Sequence, residues 1–299
     1  MRFWLEFIPV WIFAQALRLL PRPATRLVGR GIAMFFYRVH PRLRKVGMRN
    51  LELAFPDKPV AEHERILRGV YLSLGRLLAE IPKFPDYTLE TIDQIAVYDG
   101  LENFLAARER GKGVLFLTAH IGGWEIGSFF HSLHGYWLNI IMRDLDNPLL
   151  NRWVRSMRTL HGNKCHNKDE YARGLLVAMK RGETVGVLMD TNMTPPQGVF
   201  VNFFGIPACT ASGVARLAMH TGAAVVPAFT IWDEELGKYR IRLEPAIPTV
   251  RTGDDEADAL ANTQNYTSAI ERAVRAYPDQ WLWIHRRWKT RPEGSPPLY

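Results

Sequence analysis

The sequence predicts an α/β protein: a mainly parallel central sheet with helices on both faces, preceded by a helical, membrane-associated N-terminal segment. Three observations lead there. Beyond Asp99, short apolar runs alternate with helical stretches. The first 85 residues show helical spacing and no strand pattern. Between residues 7 and 51 there is no Asp or Glu at all. An alternating strand–helix order requires crossovers, and crossovers generate parallel pairs covered by helices.

The N-terminal run, residues 3–20, is mostly apolar but contains Glu6, Pro9, Gln15 and Arg18. A full membrane span needs ~20 largely apolar residues, so the run reads as a shallow or interfacial anchor. Ala14-Gln15-Ala16 resembles a signal-peptide cleavage site. Glu6 interrupts the apolar region, however, and the basic residues follow the segment rather than precede it. Positive charge on that side keeps it cytoplasmic. Pro21 and Pro23 separate the first helix from a second, Pro41 opens a basic segment, and Pro56-Asp57-Lys58-Pro59 is a turn. Residues 61–80 then carry Ile66, Val70, Leu74, Leu77 and Leu78 at helical spacing.

The formal net charge is +8. Arg18, Arg22, Arg26, Arg30, Arg38, Arg42, Arg44, Lys45 and Arg49 all fall in the acid-free stretch, so nine cations there exceed the whole net charge. They are interleaved with Trp11, Phe13, Phe35, Phe36 and Tyr37. Arginines beside bulky apolar groups suit an anionic bilayer surface rather than nucleic acid.

In the second part, strands are expected over residues 114–118, 136–142, 184–189 and 223–231, with an edge strand at 239–243. Helices are expected over 124–133, 149–160, 170–181, 212–221 and 257–276. The division is a helical N-terminal segment, residues 1–85, and an α/β body, residues 86–299. Cys165 and Cys209 form no C-x-x-C pair, which points to a reduced protein without a disulfide framework or a zinc site.

Chemistry concentrates where the first strand meets its helix, at Thr118-Ala119-His120-Ile121-Gly122-Gly123-Trp124-Glu125. Open α/β sheets place their sites at the carboxyl ends of strands. On a continuous helix five residues turn the chain ~500°, so His120 and Glu125 would diverge by ~140°. They meet if His120 lies on the turn before the helix, which Gly122 and Gly123 permit. A carboxylate on one ring nitrogen leaves the other free to accept a proton, and the motif holds no serine or cysteine nucleophile. His120 is therefore the expected general base and Glu125 its partner. No metal or redox cofactor is needed. The backbone N–H groups of Gly122 and Gly123, or Arg143, are candidate donors to an oxyanion.

Arg143 follows the second strand, and Asn147-Pro148 then opens a helix carrying Arg152, Arg155 and Arg158. Arg143 suits an anionic headgroup or a phosphopantetheine, and Asn147 joins it as a substrate-side residue. Arg152 and Arg155 read as a solvated face. Asp190, at the end of the third strand, either orients Arg143, assists His120 or caps a turn. The run from Gly198 to Gly205 reads as an apolar loop, and Thr210 as the N-cap of the next helix.

Taken together these residues resemble the lipid A biosynthesis acyltransferase family, the late lauroyl and myristoyl transferases. The resemblance spans nearly the whole chain. It rests on Asn50-Leu51-Glu52-Leu53-Ala54-Phe55-Pro56, on the His120–Glu125 motif, and on Arg143 with Asp146-Asn147-Pro148-Leu149. It continues through Gly198-Val199-Phe200-Val201, Phe203-Phe204-Gly205, Ala208 and Thr210. It closes with Pro278-Asp279-Gln280-Trp281-Leu282-Trp283-Ile284-His285-Arg286-Arg287-Trp288 and the Lys289-Thr290-Arg291-Pro292 that follows. The family often has a second aspartate where this sequence has Asn192. The resemblance implies a protein on the cytoplasmic face of the inner membrane. It would take an acyl chain from acyl carrier protein, or acyl-CoA, and pass it to a hydroxyl of a lipid A precursor. Rival readings are another glycolipid, lysophospholipid or amino-acid lipid as acceptor, a lipid hydrolase, and a non-catalytic membrane adaptor.

Overall fold

A computed structural model describes residues 1–167 and 171–299. The N-terminal segment holds four long helices, α1 (Arg2–Leu19), α2 (Arg22–Val39), α3 (Pro41–Ala54) and α4 (Val60–Glu80), followed by a 3₁₀ turn, Ile81–Asp86. Prolines sit at the first positions of α2 and α3, where their missing N–H costs no helical hydrogen bond. The remaining helices are α5 (Leu89–Ile92), α6 (Leu101–Glu109), α7 (Trp124–Leu133), α8 (Pro148–Arg158), α9 (Tyr171–Lys180), α10 (Gly213–Thr221) and α11 (Asp255–Ala276). The sequence-based start of α9 at Glu170 lies outside the described residues.

Seven strands form the main sheet. They are β1 (Ala96–Asp99), β2 (Val114–Thr118), β3 (Leu138–Met142), β4 (Lys164–Asn167), β5 (Thr184–Leu188), β8 (Ala224–Asp233) and β9 (Lys238–Leu243), in the spatial order β1-β9-β8-β2-β5-β3-β4. From β8 to β4 every pairing is parallel, while β9 runs antiparallel to β8. The expected edge strand 239–243 is thus internal: β1 pairs alongside it. The expected apolar loop over Gly198 to Gly205 is instead most of an antiparallel hairpin, β6 (Gly198–Phe203) with β7 (Ile206–Ala211). Thr210 lies within β7, and Ser212 precedes α10.

Alternate residues of β2 feed two cores. Leu115 and Leu117 join Ile66, Val185, Ile270 and Trp281 on one face. Val114 and Phe116 join Phe104, Phe129 and Leu138 on the other. That two-sided burial is why the strand reads as a continuous apolar run instead of an alternating one. The first core extends from α2 and α4 through the sheet to the C-terminal segment. The long helices therefore share apolar packing with the strand ends. Both cysteines are free, and burial raises the pKa of each thiol.

Candidate active site

β2 and β5 are neighbours in parallel register, with Thr118 opposite Leu188. Two residues further along each strand direction come His120 and Asp190, placed side by side just past the carboxyl ends. His120 Nδ1 lies 2.8 Å from Asp190 Oδ1, and the His120 backbone N–H donates to Asp190 Oδ2, also at 2.8 Å. Trp281 Nε1 donates to the same Oδ2 at 2.8 Å. Three donors converge on a carboxylate that is 3% exposed. Burial alone would raise its pKa. The charge of His120 and the three hydrogen bonds overcome that and hold it down at about 2. For His120, burial pushes toward the neutral ring. Asp190, by charge and hydrogen bond, and Glu125, by charge, outweigh burial and raise the pKa above 6.5.

With Nδ1 engaged by Asp190, the ring presents Nε2 as its other edge, which makes no hydrogen bond among the described residues. The arrangement is that of a base held in one tautomer by a carboxylate.

Glu125 sits in the first turn of α7 as expected, but its hydrogen-bond partner is Arg158 rather than His120. Arg158 Nε lies 2.9 Å from Glu125 Oε2, and Nη2 makes a second contact to Oε1. The paired side chains are only 14% and 21% exposed. The fork thus takes up the carboxylate that was expected to reach the imidazole, and Glu125 influences His120 through its charge.

Gly122 and Gly123 permit the turn before α7 as expected, but their N–H groups are not donors to an oxyanion. Gly122 has φ +56°, and a Cβ there would collide with the Thr230 carbonyl. Their N–H groups are already committed: Gly122 donates to Gln280 O at 2.9 Å and Gly123 to Thr230 O at 2.8 Å. Neither is free to serve an oxyanion. Arg143 is at the cavity edge, with its side chain 72% exposed and paired to Asp146 at 3.3 Å. Asn147 caps α8, accepting from the N–H groups of Leu149 and Leu150, and its amide donates to Phe3 O and Glu6 Oε2 on α1. Asn147 therefore acts on helix position.

The C-terminal segment closes the back of the site. Leu282 N–H donates to His120 O at 3.0 Å. His285 Nε2 accepts from the Asn192 N–H at 3.0 Å, and Asn192 also brackets Thr290 through its side chain. Arg287 is 1% exposed and donates to Thr191 O, Cys209 O and Thr210 Oγ1. Burial lowers its pKa to about 10 against the stabilising charge of Asp190. Trp281 and Arg287 were visible only as part of a dense Trp–Arg cluster. Arg158 was grouped with Arg152 and Arg155 on α8. The signal that separates it is its position four residues after Val154, on the stripe that includes Trp153 and Met157.

A cavity of about 710 Å³ opens beside His120, Glu125 and Arg158. It runs along one sheet face, past Thr118 and Phe116 to Leu138, with Ile140, Gly186 and Leu188 on its floor. Leu138 lies level with Thr184 and hence with Val114. From His120 to that level is six strand residues, roughly 20 Å. Val10, Phe13, Ala14 and Leu17 of α1 and Trp153, Val154 and Met157 of α8 complete the wall. The lining is overwhelmingly apolar, with the charged groups gathered at one end.

The sequence model of the bacterial lipid A biosynthesis acyltransferases matches residues 1–290. The chain is 29% identical to the lipid A biosynthesis lauroyltransferase of Escherichia coli (strain K12), an alignment covering all of this chain and 95% of that protein. It is 28% identical to the palmitoleoyltransferase of the same organism, again over all of this chain and 95% of the relative. With the E. coli myristoyltransferase the identity is 24%, over 98% of this chain and 90% of the relative.

Proposed function

This chain belongs to the bacterial lipid A biosynthesis acyltransferase family and is an acyltransferase, and from that premise we propose that it moves a fatty acyl chain from a thioester donor to a hydroxyl of a lipid A precursor. The donor is acyl carrier protein, or alternatively acyl-CoA. His120 is the general base. The observation that carries this reading is the His120–Asp190 pair at the charged end of a long apolar cavity.

In the proposed step the acyl chain fills the cavity and its thioester carbonyl rests near His120. Nε2 takes the proton of the acceptor hydroxyl as the oxygen attacks the carbonyl carbon. Asp190 keeps the tautomer and stabilises the imidazolium. Glu125 adds negative charge nearby. Arg158, fixed by Glu125 at the cavity, faces the developing oxyanion, a role left open by the committed glycine N–H groups. The tetrahedral intermediate then collapses, the carbon–sulfur bond breaks, and the imidazolium proton passes to the departing thiolate. The products are an ester and a free thiol.

The proposal also places the N-terminal helices at the cytoplasmic face of the inner membrane. No helix among the described residues is long and apolar enough to cross a membrane. Yet α1 is apolar on nearly every side and displays Trp4, Leu5, Trp11 and Ile12, while α2 displays Leu27, Phe35 and Phe36. A helix of that composition lying at a surface fits an interface with lipid. α1 then serves twice, as cavity wall and as bilayer contact. Residues 1–85 bring the site to the membrane and residues 86–299 supply the chemistry.

The test is mass spectrometry of purified protein incubated with an acyl thioester and a lipid A precursor. The expected product is the acceptor carrying one additional acyl chain. His120→Ala, still folded, should slow its formation by about two to four orders of magnitude. Release of free fatty acid without acceptor acylation, or normal transfer by His120→Ala, would reject the proposal.

A further inference from the structure

A second depression, about 520 Å³, lies between α3 and the C-terminal segment. Its charged lining is Arg42, Lys45, Arg49 and Arg286, and no acidic side chain of the described residues lines it. The first three stand at i, i+3 and i+7 on α3, so they share one helix face. Like charges at such spacing repel. Arg286 approaches from more than two hundred residues away in sequence and adds a fourth cation, stacked on the Tyr299 ring. Among the described residues only Arg49 has acidic company, Glu52 at 3.4 Å, and its Nε is spent on Leu298 O. Arg42 and Lys45 make no ion pair or side-chain hydrogen bond among the described residues.

Four cations in a concave site, three of them without an acidic partner among the described residues, fit an anion supplied from outside. The neighbouring surface indicates where that anion comes from. Pro41 lines the groove, and close to it in sequence Phe36, Val39 and Leu43 are 45%, 49% and 37% exposed. Large apolar side chains projecting beside a basic groove match the boundary of a bilayer, where acyl chains lie next to phosphates.

We infer that this groove binds the phosphate of an anionic lipid headgroup, separately from the cavity that holds His120. It thereby fixes the rotation of α2 and α3 on the membrane. The inference rests on the bilayer contact proposed above. It is independent of which acyl group is transferred.

The full chain is mixed with neutral phosphatidylcholine vesicles, or with vesicles containing phosphatidylglycerol, and floated on a density gradient. The groove variant is Arg42→Gln/Lys45→Gln/Arg286→Gln. A matched variant, Arg110→Gln/Lys112→Gln/Arg181→Gln, removes the same charge from exposed positions elsewhere. The groove variant should lose affinity for the anionic vesicles by about tenfold or more. The matched variant should change less than about twofold. Inorganic phosphate, added at constant ionic strength, should displace the wild type only weakly.

Equal losses in the two variants would show diffuse attraction and overturn the groove while leaving the bilayer contact intact. Full displacement by inorganic phosphate would make it a soluble-phosphate site and overturn the lipid assignment. Failure of the wild type to float with either vesicle would overturn the bilayer contact and the groove together. Circular dichroism of both variants checks that folding is unchanged.

Discussion

Asp190 Oδ1 lies 2.8 Å from His120 Nδ1 although seventy residues separate the two, because the strands that carry them are parallel neighbours in matched register. The imidazole is thereby tied to a buried anion, and its chemistry depends on that anion's charge. Asp190→Asn removes the charge and keeps the shape. Burial would then act on His120 with less opposition, and its pKa should fall. In wild type the raised pKa places the acid limb of kcat/KM above pH 6.5, since the base must be neutral to accept a proton. In Asp190→Asn that limb should move to lower pH, while the plateau drops by about two to four orders of magnitude. A pH–rate profile with an unmoved limb would show that Asp190 does not govern the base.

Glu125 and Arg158 form a mutually dependent pair with little solvent around either. Removing one member leaves the other charged and short of partners. Glu125→Gln and Arg158→Met should each lower the urea midpoint, and the double variant should lose less than the sum. A coupling energy of about 1–3 kcal/mol is expected. In activity, both single variants should reduce kcat more than they raise KM, since the charges act on the reacting centre. Additive losses in the cycle would mean that the pair is incidental.

Trp281→Phe retains the ring that packs into the core and deletes one hydrogen bond to Asp190. Hydrogen bonds to charged groups contribute about 1.5–3 kcal/mol, and stability should fall by that order. Asp190 would also ionise less readily, because one of the donors that hold it at about 2 is gone. Chemical denaturation and the acid side of the activity profile report these two effects separately.

Gly186 lies on the cavity floor, and a Cβ there would meet only Leu138 Cδ1, at 3.8 Å. A side chain is thus accommodated by the fold and projects into space assigned to the acyl chain. Gly186→Leu should shift donor preference toward shorter chains with little loss of stability. Competition between thioesters of different length, read by mass spectrometry, measures the shift.

The helices and parallel strands that frame the site were legible because their apolar periodicities are strong, and α7 was placed at its observed limits. The position of His120, between a strand end and two glycines, was legible too. Asp190 was legible only as one of three alternatives, and Glu125 was preferred as the partner, because spacing along the chain reports nearby residues, while strand adjacency is decided by packing of the whole sheet. The short strands β1 and β4 carry polar or mixed sequences, Ala-Val-Tyr-Asp and Lys-Cys-His-Asn, and show no apolar run. The first strand of the hairpin was read as a loop because Gly198 and Gly205 bracket it with turn signals. Antiparallel pairing to Pro207, Ala208 and Cys209 is a property of the partner strand.

The segment that begins at Pro278 supplies Trp281 to Asp190 and the N–H of Leu282 to the His120 carbonyl. Chains are synthesised from the N-terminus, so these contacts wait until the segment beginning at Pro278 has followed His120 and Asp190 out of the ribosome. A nascent chain can present its basic, aromatic helices long before His120 and Asp190 gain this support. On the proposed reading, membrane contact thus becomes available before acyl transfer. On that reading, a polypeptide cut before Pro278 would occupy the membrane without spending donor thioester.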